Sequence, residues 1–234
     1  MVKKGIHWVF CVLILFWFIE PGKTQHIEQD TLNINHWPAV GLMAAGIAVS
    51  GTTVKQNLQS DLQDFFGTTT SKIDDYLAIV PSAQVLIYGI IPKHEDRLYH
   101  LENYAYSTVI NLGLTYGMKA ILNVKRPNGG EFSFPSGHTS FAFSTATVSY
   151  MAFKDKKPLL AWASYLPATI TGIMRIQKNK HWSPDVLFGA GLGIISTQLT
   201  YRILRPHRFN DESKFLSNLH FDIGPGQIGL VYTL

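Results

Sequence analysis

Along the chain, long uncharged runs end in short clusters of charged or polar residues. The runs are Thr31–Val54, Tyr76–Pro92, Asn103–Met118, Phe132–Phe153, Pro158–Met174 and Val186–Tyr201. Within them Val, Ile and Tyr are mixed with Ala, Leu and Met instead of alternating with polar residues, which favours helices over strands. The spacing predicts helices near 103–124, 138–153, 158–176 and 184–204, joined by short connections that make neighbours antiparallel. Between the first two runs, Val54, Leu58, Leu62 and Phe65 recur at intervals of four, four and three. That is the stripe of an amphipathic helix, suited equally to a membrane surface or to covering a core. The last stretch, Phe221–Leu234, holds Gly224, Pro225, Gly226 and Gly229 and reads as a turn with one or two short strands. The fold class expected is therefore all-α: an antiparallel helix bundle with a short irregular or β tail.

The N-terminus has a different pattern. Lys3 and Lys4 precede an apolar run from Ile6 to Ile19, which Glu20, Pro21 and Gly22 interrupt. A basic flank before an apolar stretch of that length is the form of an export signal. A spanning helix wants about 20 residues, so an uncleaved anchor is the alternative. The organisation expected is a signal or anchor over 1–24, a helical region over 25–72, a bundle over 73–208, and a tail over 209–234 packed in the same domain.

Composition narrows the class. Hydrophobic residues make up 46% of the 234 and charged residues 15%, against about 25% charged in typical soluble domains. Mean hydropathy is nonetheless only +0.08, so the chain lies between a soluble helical protein and a membrane protein. The net charge of +4 comes without a dense basic stripe, which argues against nucleic acid as a partner. The single cysteine, Cys11, lies in the N-terminal apolar run, so a processed chain would hold no thiol or disulfide. Acidic residues are scattered without the spacing of a dinuclear metal site, and no metal or other cofactor is expected. His36, His94, His100, His207 and His220 read as surface or capping residues.

Three clusters carry candidate chemistry. They are Lys119-x6-Arg126-Pro127, then Pro135-Ser136-Gly137-His138, then Arg175-x5-His181-x3-Asp185. Each alone has a plain structural reading: Arg-Pro can stop a helix, and Ser183-Pro184-Asp185 is a good helix start. By average residue usage, Pro-Ser-Gly-His has a chance probability on the order of 10⁻³ in a chain this long, and all three clusters in order are far rarer. On the predicted helices, the loops at 125–137 and 177–183 fall at one pole. Lys119, Arg126 and Arg175 would there supply fixed positive charge for phosphoryl oxygens, with the amides of Ser136, Gly137 and His138 at a helix start.

With those residues in place, the sequence resembles the type 2 phosphatidic acid phosphatase superfamily, which includes bacterial class A acid phosphatases and vanadium haloperoxidases. The resemblance covers roughly 103–204 and departs at Met174, where the family has serine. It implies that His181 attacks phosphorus, Asp185 holds the other ring nitrogen of His181, and His138 protonates the leaving oxygen. Lys119, Arg126, Ser136, Gly137 and Arg175 would bind phosphate. The expected activity is metal-independent hydrolysis of phosphate monoesters or diphosphates through a phosphohistidine. The expected partner is an envelope lipid (lipid A, isoprenoid or glycerophospholipid phosphate), with the protein associated with a bacterial membrane and its site facing the periplasm. A promiscuous soluble periplasmic acid phosphatase, a vanadate-dependent haloperoxidase and a non-catalytic phosphate- or lipid-binding relative are the other readings open at this point.

Overall fold

In a computed structural model of the chain, residues 35–90, 97–204, 219–224 and 227–232 are described. The N-terminal signal or anchor expected over 1–24 lies outside them. Nine α-helices follow in order among the described residues: α1 (Trp37–Ala48), α2 (Thr52–Phe66), α3 (Ile73–Leu77), α4 (Val80–Ile90), α5 (Arg97–Leu122), α6 (Gly137–Phe153), α7 (Pro158–Ala163), α8 (Tyr165–Gln177) and α9 (Ser183–Leu204). Two strands, β1 (Leu219–Gly224) and β2 (Gln227–Tyr232), pair as an antiparallel hairpin with Leu219 opposite Tyr232. The all-α bundle read from the apolar runs is the fold observed.

Helix boundaries depart from the sequence expectation where proline or charge misled it. The stretch 158–176 is two helices broken at Ser164. Pro167 explains the break: it has no N–H, and its ring would clash with the carbonyl four residues back. In the same way Pro81 follows a break at Ala78–Ile79 between α3 and α4. α5 begins at Arg97 rather than 103, because Arg97 and Glu102 interrupt the uncharged run without interrupting the helix. The first run bends at Val49–Gly51, and α2 leaves α1 at 109°.

The centre of the bundle is α9, packed between α6 on one side and α1 on the other. Small residues make that close approach possible. A Cβ on Gly193 would lie 2.2 Å from the Ser140 carbonyl oxygen, and one on Gly189 would lie 2.8 Å from that of Ser136. Gly191, on a different face, would place a Cβ 2.5 Å from the Ala39 carbonyl of α1. Gly189 and Gly193 are four apart, the small-xxx-small spacing by which helices pack backbone to backbone in lipid. Hydroxyls fill the seams: Ser144 Oγ pairs with Thr197 Oγ1 at 2.9 Å between α6 and α9, and Thr115 Oγ1 donates to Ser140 Oγ at 3.2 Å between α5 and α6. His100, expected at the surface, is buried at 6% exposure, with Nδ1 2.7 Å from the Tyr201 hydroxyl.

The outer faces are apolar. Trp37, Phe65, Ile73, Tyr76, Ile87, Ile90, Val109, Ile121, Leu159 and Trp162 are all exposed. Among the described residues, one stretch, Ile73–Ile90, is long and apolar enough to cross a membrane, and α1 with α2 passes the same test only as a bent pair.

Candidate active site

Two loops build the site, and they are laced to each other through backbone. The loop after α5 (123–136) and the loop after α8 (178–182) meet at one pole, as the short connections require. The Ser136 N–H donates to the Asp185 carbonyl at 3.0 Å, and the Trp182 indole N–H donates to the Lys125 carbonyl at 2.8 Å. On the outer side, Gln59 and Gln63 of α2 donate to the Ile176 carbonyl and to Asn179 Oδ1. Asn179 has φ 53°, a left-handed conformation that asparagine tolerates at a helix end. Lys55 stands 4.9 Å over the Trp182 ring.

His181 lies at the floor, 2% exposed. Its Nδ1 is 2.7 Å from the Ser133 carbonyl oxygen. A carbonyl only accepts, so Nδ1 carries the proton and Nε2 is left with a free lone pair. Burial pushes the imidazole down to about 4; Asp185 opposes this, while the charges of Lys119 and Arg175 add to it. The ring is therefore neutral at physiological pH. Asp185 is 3.7 Å from Nδ1, too far for a hydrogen bond. Its carboxylate instead accepts from Ser133 Oγ at 2.5 Å and from the Trp182 N–H at 2.9 Å. Ser133 thus stands between the two residues, giving its hydroxyl to Asp185 and its carbonyl to His181. Sequence reasoning missed Ser133 because the group that holds the histidine is a carbonyl, which every residue has.

Around this floor the cations gather. Lys119 Nζ donates to the Phe132 carbonyl at 2.7 Å. The Nε atoms of Arg126 and Arg175 are buried and have no hydrogen-bond partner among the described residues. Burial and the neighbouring Arg175 charge hold the Arg126 guanidinium below its usual value. Buried donors without acceptors are uncommon in folded proteins and mark places where a ligand completes the set. Ser136 caps α6, though its hydroxyl bonds Thr139 Oγ1 at 2.8 Å rather than a backbone amide. A Cβ on Gly137 would sit at ordinary van der Waals distance, 3.7 Å from Lys119 Cε and 3.6 Å from Thr115 Cγ2, so the start of α6 lies against Lys119 without requiring a glycine there. His138, one residue on, is half-exposed at the rim. Among the described residues, no three His, Cys, Asp or Glu side chains gather to hold a metal ion.

A neutral histidine with a bare nitrogen, a ring of cations and a second, accessible histidine can perform in-line displacement at phosphorus. Residues 125–209 match the family model for the PAP2 superfamily. That segment is similar to PAP2 superfamily domains. Over 141 residues it is 35% identical to the lipid A 1-phosphatase of Porphyromonas gingivalis, covering 58% of this chain and 32% of that protein. Over 94 residues it is 33% identical to lipid phosphate phosphatase 1 of Arabidopsis thaliana, covering 36% of this chain and 29% of that protein. The matches thus span about a third of the length of these relatives. Two solved structures are similar at 20% identity: Aquifex aeolicus LpxE (TM-score 0.48, 61% of this chain, 93% of that one) and the transmembrane PAP2-type phosphatidylglycerolphosphate phosphatase of Bacillus subtilis (TM-score 0.42, 88% and 99%).

Within the matched segment, Met174 is buried in the last turns of α8. The guanidinium beside it is held from elsewhere. Asp74, on α3 and 0% exposed, accepts from Arg175 Nη1 at 2.8 Å and from Lys178 Nζ at 2.6 Å. Its neighbour Asp75 lies 3.8 Å from Arg175 Nη1 and 3.0 Å from Nε2 of His138. Neither acid was anticipated. They lie far upstream of the PAP2 match, and the available signal was two adjacent acids at the head of an apolar run, where buried charge implies a partner.

Proposed function

We propose that this protein is a lipid phosphate phosphatase that works at a membrane through a phosphohistidine on His181. The observation that carries the reading is the neutral, buried His181, its Nδ1–H committed to the Ser133 carbonyl, beside guanidinium groups with unpartnered buried Nε atoms. Nε2 attacks phosphorus while Lys119, Arg126 and Arg175 take up charge on the equatorial oxygens. The amides of Ser136, Gly137 and His138 at the start of α6 favour the same anion. His138 gives a proton to the leaving oxygen as the P–O bond breaks, and water then cleaves the P–N bond. Asp185 acts through Ser133 and the Trp182 amide, keeping the carbonyl that orients His181 in place.

The substrate is a phosphorylated envelope lipid, with a lipid A phosphate first among them. The P. gingivalis relative is named for that activity, and the exposed apolar faces of the bundle suit contact with acyl chains. The site pole faces the periplasm. In support, Lys154, Lys156, Lys157 and Arg202 lie at the opposite ends of α6 and α9 from the site, the distribution expected of a cytoplasmic side. Phosphate release in EDTA from lipid A, undecaprenyl diphosphate, phosphatidic acid and p-nitrophenyl phosphate tests the reading. The expected result is vanadate-sensitive turnover, fastest on lipid A and absent in His181→Ala. Equal turnover by His181→Ala would refute it.

A further inference from the structure

Asp75 is the acid that the three sequence clusters do not include and the proposed mechanism does not use. It is carried by α3, a helix of five residues between α2 and α4, so its position relative to α6 is set by tertiary packing. The carboxylate is half-exposed, as is His138, and the two meet at the rim, Oδ1 to Nε2 at 3.0 Å. A carboxylate only accepts, so Nε2 carries a proton in this pair. Among the described residues Nδ1 of His138 has no hydrogen-bond partner. The charged groups that bear on His138 are Asp75 and Asp74 from α3 and Arg175 from α8. Lys119 of α5 and Asp185 of α9 instead engage the backbone of 132–133, Ser133 and Trp182. Burial, and after it the cation Arg175, hold the His138 imidazole below its usual value, and Asp74 is already shared between Arg175 and Lys178. Asp75 is left as the anion in direct contact.

We infer that Asp75 is a positioning residue for His138, holding its ring through Nε2–H and favouring the imidazolium that protonates the leaving group through Nδ1–H. The inference rests on the phosphatase reading and adds a second His–carboxylate pair to it. In the first step the P–O bond to the lipid breaks and the P–N bond to His181 forms. The Nδ1 proton passes to the leaving oxygen, and His138 becomes neutral with Nε2–H still on Asp75. In the second step water attacks phosphorus, its proton goes to Nδ1, the P–N bond breaks, and the imidazolium is restored. A carboxylate so near Arg175 also repels a phosphate, so its contribution is to the chemical step and not to ground-state binding.

The test is Asp75→Asn assayed on two substrates that differ in how much they need an acid. An alkyl lipid phosphate leaves as a poor alkoxide, whereas p-nitrophenolate leaves with little help. General-acid assistance is worth about 10²–10⁴ in rate, and a part of that is expected to go. The expected result is a kcat loss of at least ~10-fold on the lipid and under ~3-fold on p-nitrophenyl phosphate. KM should be unchanged or lower, and the alkaline limb of kcat should move to lower pH. Asp75→Glu should recover much of the lipid rate. Equal losses on both substrates, or none on either, would overturn the role of Asp75 while leaving the phosphatase reading intact. Wild-type protein inactive on both would overturn that reading and this one with it. Should Asp75→Asn melt early, Asp75→Ser reads the same substrate split.

Discussion

Removing the Asp74 carboxylate is expected to be among the most damaging single changes to the stability of this protein. Asp74 is fully buried and binds two cations at once, Arg175 at 2.8 Å and Lys178 at 2.6 Å, whose side chains are only 8% and 11% exposed. Asp74→Asn keeps the shape and removes the charge, leaving two poorly hydrated cations facing an amide. Breaking a buried pair from one side typically costs about 3–5 kcal/mol, because the remaining charge has lost its compensation. For a chain of this size each kcal/mol moves the melting temperature by about 2–4 °C, so a fall of ~6–20 °C is expected. The assay is thermal unfolding of purified protein in one fixed detergent, followed by intrinsic tryptophan fluorescence. Lys178→Met in the same background separates charge from packing. If uncompensated charge is the cause, the double variant should regain at least ~1 kcal/mol of the loss, a coupling typical of residues in contact. A single variant melting within ~2 °C of wild type, or a double variant no better than the single, would refute the reasoning.

Two other expectations follow from the same geometry. Burial holds His181 near 4 in the folded protein, against about 6.5 unfolded. The folded state therefore refuses a proton that the unfolded chain accepts, so stability is full above about pH 6.5 and falls as pH drops toward 4. The upper limit of the loss is about 3 kcal/mol, and it should be missing from the pH–stability curve of His181→Asn; parallel curves would contradict it. Gly193→Ala would drive a Cβ to 2.2 Å from the Ser140 carbonyl and 2.7 Å from the Ser144 amide, both of them backbone. A cost of at least ~1–3 kcal/mol is expected. Gly113→Ala, with open space around the position, should be neutral or stabilising by up to about 1 kcal/mol, and equal melting shifts for the two would refute the close-packing account of α6 and α9.

Much of the bundle was legible because its helices are long apolar runs punctuated by charge, and the run over 138–153 became α6 almost without change. What misled the reading was punctuation of another kind. Arg97 and Glu102 break the apolar run and yet sit inside α5, whereas Pro167 is flanked by apolar residues and yet forces the break at Ser164. The three clusters that the structure brings to one pole were legible because each combines uncommon residue types at fixed spacing. The contacts that hold those clusters were not. Ser133 works through a carbonyl, Asp74 and Asp75 come from a helix far away in sequence, and the small residues of α9 reveal their purpose only once α6 lies across them. In each case the informative quantity is a tertiary distance, which no spacing along the chain encodes.

The central claim is that His181 becomes phosphorylated during turnover, and trapping that species tests it most directly. Protein mixed with a ³²P-labelled lipid phosphate and quenched in alkali within milliseconds should carry label that is stable to base and released by acid, the behaviour of a phosphoramidate. The label should map to the peptide containing His181 and be missing from His181→Ala. Label that is stable to acid, that maps elsewhere, or that persists in His181→Ala would contradict the account.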